Sequence, residues 1–179
     1  MSEDSFEGFD KAFEQVILFE GGYADDPYDS GGKTMYGITE GVAREWGYEG
    51  EMKDLPLETA KDIYWSNYWK ANRCDDFDDY IIAEMVFDMA VNMGNRVAVR
   101  KLQKAYNLLR DYEISVDGVV GPETLNSVNG YPHTQDLAFW YAMLRALRYK
   151  NIVQSNETQR RFIRGWGRRV QKLLTKLLC

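Results

Sequence analysis

The chain is poor in the residues that build staples and metal centres. Among its 179 residues there are two cysteines, Cys74 and Cys179, and a single histidine, His133. Zinc sites need three or four His, Cys or carboxylate ligands, usually including closely spaced His or Cys, and that spacing is missing, which argues against a zinc amidase or peptidase. Cys74 lies mid-chain and Cys179 is the last residue, so both read as free thiols and point to folding in a reducing compartment. Nucleophilic catalysis through a Ser–His or Cys–His pair would have to use His133, in the turn Tyr131-Pro132-His133-Thr134, where a lone histidine is usually only solvated. Neither Gly-x-x-x-x-Gly-Lys-Ser/Thr nor Gly-x-Gly-x-x-Gly occurs, which argues against the familiar nucleotide loops. Asp25, Asp26 and Asp29 do not follow the alternating ligand order of a calcium loop. No metal and no organic cofactor is expected.

Long apolar runs are also lacking. The nearest, Ile81 to Val91, is broken by Glu84 and Asp88, short of the roughly 18 apolar residues of a membrane span. The first ten residues are acidic and have neither the basic start nor the apolar run of a secretory signal. Synthesis in the cytoplasm, without export by the usual route, is the corresponding expectation.

What is present is a globular composition, 45% hydrophobic and 28% charged. A chain of this length buries about 70% of its unfolded surface, enough for a core without staples. The net charge of −6 hides an asymmetry. Residues 1–144 hold 12 Lys+Arg against 27 Asp+Glu, a net of −15, whereas residues 145–179 hold 10 Lys+Arg against Glu157 alone, a net of +9. The basic end either docks on the chain's own acidic part or meets an anionic wall or membrane.

Phe9, Phe13, Val16, Ile17 and Glu20 recur at helical spacing, and Gly21-Gly22 stops that helix with Glu20 at its C-terminal end. A dense turn cluster, Asp25 to Gly32, leads into Lys33 to Ile38, read as a small hairpin or irregular loop. Thr39 caps a helix to about Trp46, and Leu57 to about Lys70 predicts another that carries Tyr64, Trp65, Tyr68 and Trp69. Tyr80 to Val91 is apolar on nearly every face, as in a central buried helix, with Asn92-Met93-Gly94 as its stop. Further helices are predicted over Arg96 to Leu109, Thr124 to Val128, Thr134 to Val153 and Thr158 to Leu178. The class is α+β, predominantly helical, with strand confined to the hairpin.

The remaining chemistry is that of carboxylates. A glutamate in the last turn of an apolar helix, beside two glycines, can be partly desolvated, which raises its pKa and lets it hold a proton near neutral pH. Asp29, nine residues on, can fold back beside the helix end and stay ionised. Two carboxylates with pKa values pushed apart form the working pair of a glycosidase. Thr34 can hydrogen-bond a water between them, and Tyr23, Tyr36, Tyr64 and Trp69 suit stacking on sugar faces. The same acidic residues also read as a solvated helix end and ordinary turn formers, and the aromatics as core. Residue pattern alone leaves both readings open.

The stretch Phe19-Glu-Gly-Gly-Tyr-Ala-Asp-Asp-Pro-Tyr-Asp-Ser-Gly-Gly-Lys-Thr-Met-Tyr-Gly-Ile-Thr39 resembles the signature of glycoside hydrolase family 108, the N-acetylmuramidases with an EGGY motif found in phage endolysins and related bacterial enzymes. Tyr64 to Trp69 and Phe87 to Gly94 are similar to later blocks of that family. Lys101-Leu102-Gln103, Val116 to Thr124 and Phe162 to Val170 resemble the predicted peptidoglycan-binding region that follows it. The resemblance implies a lysozyme-like fold and cleavage of the β-1,4 bond between N-acetylmuramic acid and N-acetylglucosamine, with Glu20 as general acid. Asp29 matches the nine-residue spacing of the wider phage lysozyme group, while Thr34 follows it by five residues where that pattern usually has six. Asn92, in the Phe87 to Gly94 block, joins the aromatics as a candidate substrate contact.

The resulting expectation is a catalytic core over residues 1–110 and a helical region over 111–179, packed as one compact monomeric body. Its implied partner is bacterial peptidoglycan, not nucleic acid, and it acts at the wall after release by a holin or a secretion system. Phe162, Ile163, Trp166, Val170, Leu173 and Leu177 form an apolar stripe expected to pack, with Arg160, Arg161, Arg164, Arg168 and Arg169 facing outwards. A basic amphipathic helix of this kind also suits anionic wall or lipid groups. The rival readings are a lytic transglycosylase, which also needs one glutamic acid, and a non-catalytic wall-binding or membrane-active module.

Overall fold

The structure is a computed structural model that describes residues 3–25 and 32–177. Close contacts divide the chain into two compact units, Met1–Ala71 and Asn72–Cys179. The boundary expected near residue 110 lies inside the second unit.

In the first unit, α1 (Glu3–Glu20) leads to a small antiparallel sheet of β1 (Ala24–Asp25), β2 (Lys33–Met35) and β3 (Ile38–Thr39), in that order. Then come α2 (Glu40–Glu45), a 3-10 turn at Met52–Asp54 and α3 (Leu57–Tyr64). The Thr39 hydroxyl accepts from the Val42 amide at 3.4 Å, the cap expected of it. The helix predicted through Lys70 instead widens into a π-helical segment over Trp65–Lys70. Rings from this segment and from the end of α3 meet α1: Phe9 meets Trp65 and Trp69 edge-on at 5.2 and 5.7 Å, and Phe13 meets Tyr64 at 5.6 Å. Burial of Phe9, Ala12, Phe13 and Val16 gives α1 the apolar face its spacing predicted. Each large side chain so buried contributes about 1.5–3 kcal/mol.

The second unit opens with a 3-10 turn at Cys74–Asp76 and contains α4 (Tyr80–Met93), α5 (Asn95–Leu108), α6 (Pro122–Asn129), α7 (Thr134–Ser155) and α8 (Ile163–Leu177). Gly94, at φ 85°, ends α4 and starts α5: its amide bonds the Ala90 carbonyl and its own carbonyl accepts from Ala98. The helix predicted from Thr158 begins as a 3-10 turn, Glu157–Phe162, because extended Asn156 breaks the chain direction and accepts from the Thr158 amide at 3.1 Å. Cys74 is a buried free thiol. Cys179 lies outside the described residues.

α4 is buried almost all round, including two carboxylates one turn apart, Glu84 and Asp88. Asp88 is gripped on both oxygens, by Arg145 of α7 and by Arg169 Nε of α8 at 2.8 Å, while Lys176 pairs with Glu84. Part of the basic end thus docks on acidic groups of its own unit. Arg169 is a correction to the outward reading, since it is only 6% exposed. Arg160, Arg161, Arg164 and Arg168 are exposed as expected. Val170 and Leu173 pack inward, and Trp166 stacks on Tyr149 at 4.7 Å.

Candidate active site

Glu20 is the last residue of α1. The helix stops where Gly21 takes φ 76°, a conformation strained for any L side chain, although its amide still reaches the Ile17 carbonyl at 3.3 Å. Four residues after Glu20 the chain has entered the sheet, where Ala24 pairs with Thr34 and Asp25 with Lys33. The sheet therefore brings Thr34 beside the segment that leaves Glu20, their paired Cα atoms about 5 Å apart as in any antiparallel ladder. Asp29 lies outside the described residues.

A two-residue turn, Tyr36-Gly37, joins β2 and β3, with φ of 54° and 73°. Positive φ at both central residues is the geometry whose twist matches a tight hairpin, and glycine supplies it without cost while tyrosine does not. The Tyr64 hydroxyl donates to the Tyr36 carbonyl at 2.9 Å and holds the strained turn. The first half of α1 is held in turn by the ring contacts of Phe9 with Trp65 and Trp69 and by Lys61, whose ammonium sits 2.9 Å from Asp10. That bond to Asp10 raises the Lys61 pKa.

The expected sugar platforms divide. Tyr23 is 45% exposed and Tyr36 is half-buried, both beside the α1 terminus or on the hairpin turn. Tyr64 and Trp69 are core residues, 1% and 2% exposed, because their rings fill the space against Phe13 and Phe9. At that burial they support α1 and present no face for a sugar to stack on, contrary to the expectation. Asn92 belongs to the second unit, where it is half-buried and accepts from the Tyr149 hydroxyl at 2.6 Å. Its other neighbours in that network are Arg145, which donates to the Tyr149 oxygen at 2.8 Å, and through it Asp88. Sequence spacing had no means of pairing residues 57 positions apart.

In the second unit, Gln103 is buried and organises the turn between Asp117 and Pro122. Its amide donates to Asp117, Thr124 and the Val119 carbonyl at 2.8–3.2 Å, and its oxygen accepts from Gly118 at 2.9 Å. The Gln103 bond, followed by the Val119 amide, holds the Asp117 carboxyl below its ordinary pKa. His133 is exposed, at the start of α7, with its ring edge-on to Tyr131. Among the described residues no cluster of three His, Cys, Asp or Glu side chains is arranged to hold a metal, and no helix is long and apolar enough to cross a membrane.

The glycosyl hydrolase 108 family model matches residues 13–94, from the middle of α1 to Gly94, and so includes Glu20, the hairpin and α4. A predicted peptidoglycan domain model matches residues 97–171. The solved structure of Brucella abortus SagA is similar over 95% of this chain and 93% of that one, with 31% identity and a TM-score of 0.78. The chain belongs to the glycosyl hydrolase 108 family. No curated protein matches it. As a member it is a glycoside hydrolase with the lysozyme-like, predominantly helical α+β fold, and the two matched regions together make it a peptidoglycan hydrolase.

Proposed function

We propose that this glycosyl hydrolase is an N-acetylmuramidase that cleaves the β-1,4 bond between N-acetylmuramic acid and N-acetylglucosamine and so lyses bacterial walls, with Glu20 as the general acid. The observation that carries the reading is the position of Glu20: it closes α1 inside the matched family region, at the point where Gly21 ends the helix and the chain turns into the sheet. Protonation of the glycosidic oxygen by the carboxylic acid makes the sugar a leaving group while oxocarbenium character develops at the anomeric carbon.

Asp29 then activates a water on the opposite face. That role calls for the wider carboxyl separation of about 6.5–9.5 Å and inversion at the anomeric carbon. Thr34, on β2 opposite Ala24, helps to hold that water. Tyr23 and Tyr36 line the sugar path on the first unit, and Asn92 supplies an amide to the substrate.

The test is to digest purified peptidoglycan with wild type and Glu20→Gln and to identify the new sugar ends by mass spectrometry. Reducing N-acetylmuramic acid ends from wild type, reduced by about 10²–10⁴-fold in the variant, support the reading. Anhydro ends would assign a transglycosylase, and equal lysis by both proteins would make Glu20 idle. The alkaline limb of the kcat/KM profile reports the pKa of the acid in the free enzyme and should vanish with Glu20→Gln.

A further inference from the structure

The apolar side of α8 is already committed. Val170 and Leu173 are buried, and Trp166 stacks on Tyr149 of α7 at 4.7 Å, so the helix cannot turn that side toward a lipid phase while it stays packed. Its outer side is cationic. Arg160, Arg161 and Arg164, with Ile163, line an open recess of about 580 Å³ where the 3-10 turn Glu157–Phe162 runs into α8. Arg168 follows Arg164 by four residues and lies on the same helix face one turn on. All four arginines are exposed.

Little on the chain neutralises this recess. Glu157 sits 3.5 Å from Arg160, but both side chains are mostly in water, and no acidic residue follows Glu157 in the sequence. Among the described residues Arg161, Arg164 and Arg168 have no ion-pair partner, whereas Arg145 and Arg169 are answered by Asp88 and Lys176 by Glu84. Like charges around one recess repel, and an anion that enters relieves them.

An aromatic ring stands among these cations. Phe162 is 42% exposed, carries the Arg161 guanidinium 4.6 Å from its centroid and stacks in turn on Trp166 at 5.8 Å. An added Cβ at Gly165 or Gly167 would meet nothing within 4 Å, so packing requires neither glycine. Both leave open backbone between Arg164 and Arg168, although glycine weakens a helix interior. The two features together select the anion. Guanidinium forks fit phosphate oxygens, and a ring at the same level gains only from an anion that brings apolar groups with it. A phospholipid does so, whereas a soluble phosphate polymer offers Phe162 nothing.

We propose that Arg160, Arg161 and Arg164, with Phe162, form a docking site for anionic phospholipid headgroups, which seats the start of α8 on a membrane surface without inserting the helix. Phosphates enter the recess while Phe162 rests at the boundary between headgroups and acyl chains. The site is separate from the glycosidic chemistry and does not depend on which bond is cut.

The experiment measures co-sedimentation of the full chain with phosphatidylcholine vesicles, with and without phosphatidylglycerol, at about 0.15 M salt. Wild type should bind the vesicles that contain phosphatidylglycerol and not the others. Arg161→Gln with Arg164→Gln should lower that binding about 30-fold, at about fivefold for each cation near an anionic surface. Lys53→Gln with Lys104→Gln removes the same charge from exposed positions off the recess and should bind as wild type does. If the arginine pair does not fold, Phe162→Ser should weaken vesicle binding about fivefold and leave binding to soluble polyphosphate unchanged. Digestion of soluble glycan fragments should be the same for wild type and the arginine pair. The proposal is overturned if wild type does not distinguish the two vesicles, if the lysine pair loses as much as the arginine pair, or if Phe162→Ser binds vesicles as wild type does. It is equally overturned if soluble polyphosphate binds as tightly as the vesicles, which would assign a phosphate polymer of the wall, or if the arginine pair loses activity on soluble fragments, which would place those arginines on the glycan.

Discussion

The two units solve the same packing problem with different chemistry. The first is held by rings: Phe9, Phe13, Tyr64, Trp65 and Trp69 meet at 5.2–5.7 Å, and its ion pair between Lys61 and Asp10 stays partly in water. The second buries an ion cluster, Asp88 between Arg145 and Arg169, and a Gln103 on α5 that holds the Asp117 turn. Ring-on-ring packing of this kind has no ionic charge that its members must keep. A buried ion cluster is specific in register but depends on every member keeping its charge.

The sharpest way to break the comparison is Asp88→Asn. Burial opposes the Asp88 charge, but Arg145 and Arg169 outweigh it and hold the carboxyl below its ordinary pKa. Removing the charge strands two buried guanidiniums, and the expected loss is about 3–5 kcal/mol in denaturant unfolding. A pH series tests the same point without mutation. Because the folded pKa is lowered, the stabilisation is fully present above the unfolded carboxylate value near 3.8 and is lost as pH falls through the folded one. Wild type should lose stability in that acid window, and Asp88→Asn, already without the contribution, should show a flatter slope.

Gly118→Ala ranks next. Gly118 sits at φ 84°, and an added Cβ would lie 2.6 Å from Arg96 Cγ and 2.9 Å from the Arg96 carbonyl oxygen. Backbone conformation and backbone contact both resist, so a cost of about 1–3 kcal/mol is expected by thermal or denaturant unfolding. A neutral result would show that the Gln103 turn can move away from α5.

What the sequence made legible follows the same division. Periodicity found α1 and α5 because their apolar residues repeat on one face, α4 stood out because it is apolar nearly all round, and the EGGY stretch located Glu20 because a helix stop and an acid fall together there. Tyr64 and Trp69 were misread since an aromatic has the same letter whether it stacks on a sugar or on Phe9. The π-helical turn carries no pattern that departs from an α-helix in sequence. The Asp88 cluster was hidden by distance, Arg145 and Arg169 lying 57 and 81 positions away. The arginines of α8 look alike in the chain, and only the packing of Val170 and Leu173 decides that Arg169 turns inward.

Tyr64→Phe probes a polar tether to the first unit's hairpin, the hydroxyl on the Tyr36 carbonyl. Loss of that bond should cost about 0.5–1.5 kcal/mol. Tyr36 pays for a positive φ that glycine adopts freely, so Tyr36→Gly should relieve strain and make the tether less needed. A double-mutant cycle therefore predicts a smaller cost for Tyr64→Phe in the Tyr36→Gly background, and strict additivity would mean that the hydroxyl does not serve the turn.

The smallest effect is expected at Lys61→Met, and its sign with pH is the reverse of that at Asp88. The Lys61 pKa is raised by its bond to Asp10. A raised folded pKa means the stabilisation is complete below the unfolded value near 10.5 and disappears as pH rises through the folded one. Side-chain exposures of 31% and 44% leave the pair screened by water, which limits its contribution to less than about 1 kcal/mol. Thermal unfolding of wild type and Lys61→Met should differ slightly at neutral pH and converge in strong alkali, whereas wild type and Asp88→Asn should converge in acid. A convergence of both pairs at the same end of the scale would mean that the electrostatic difference between the two units is not the one their packing describes.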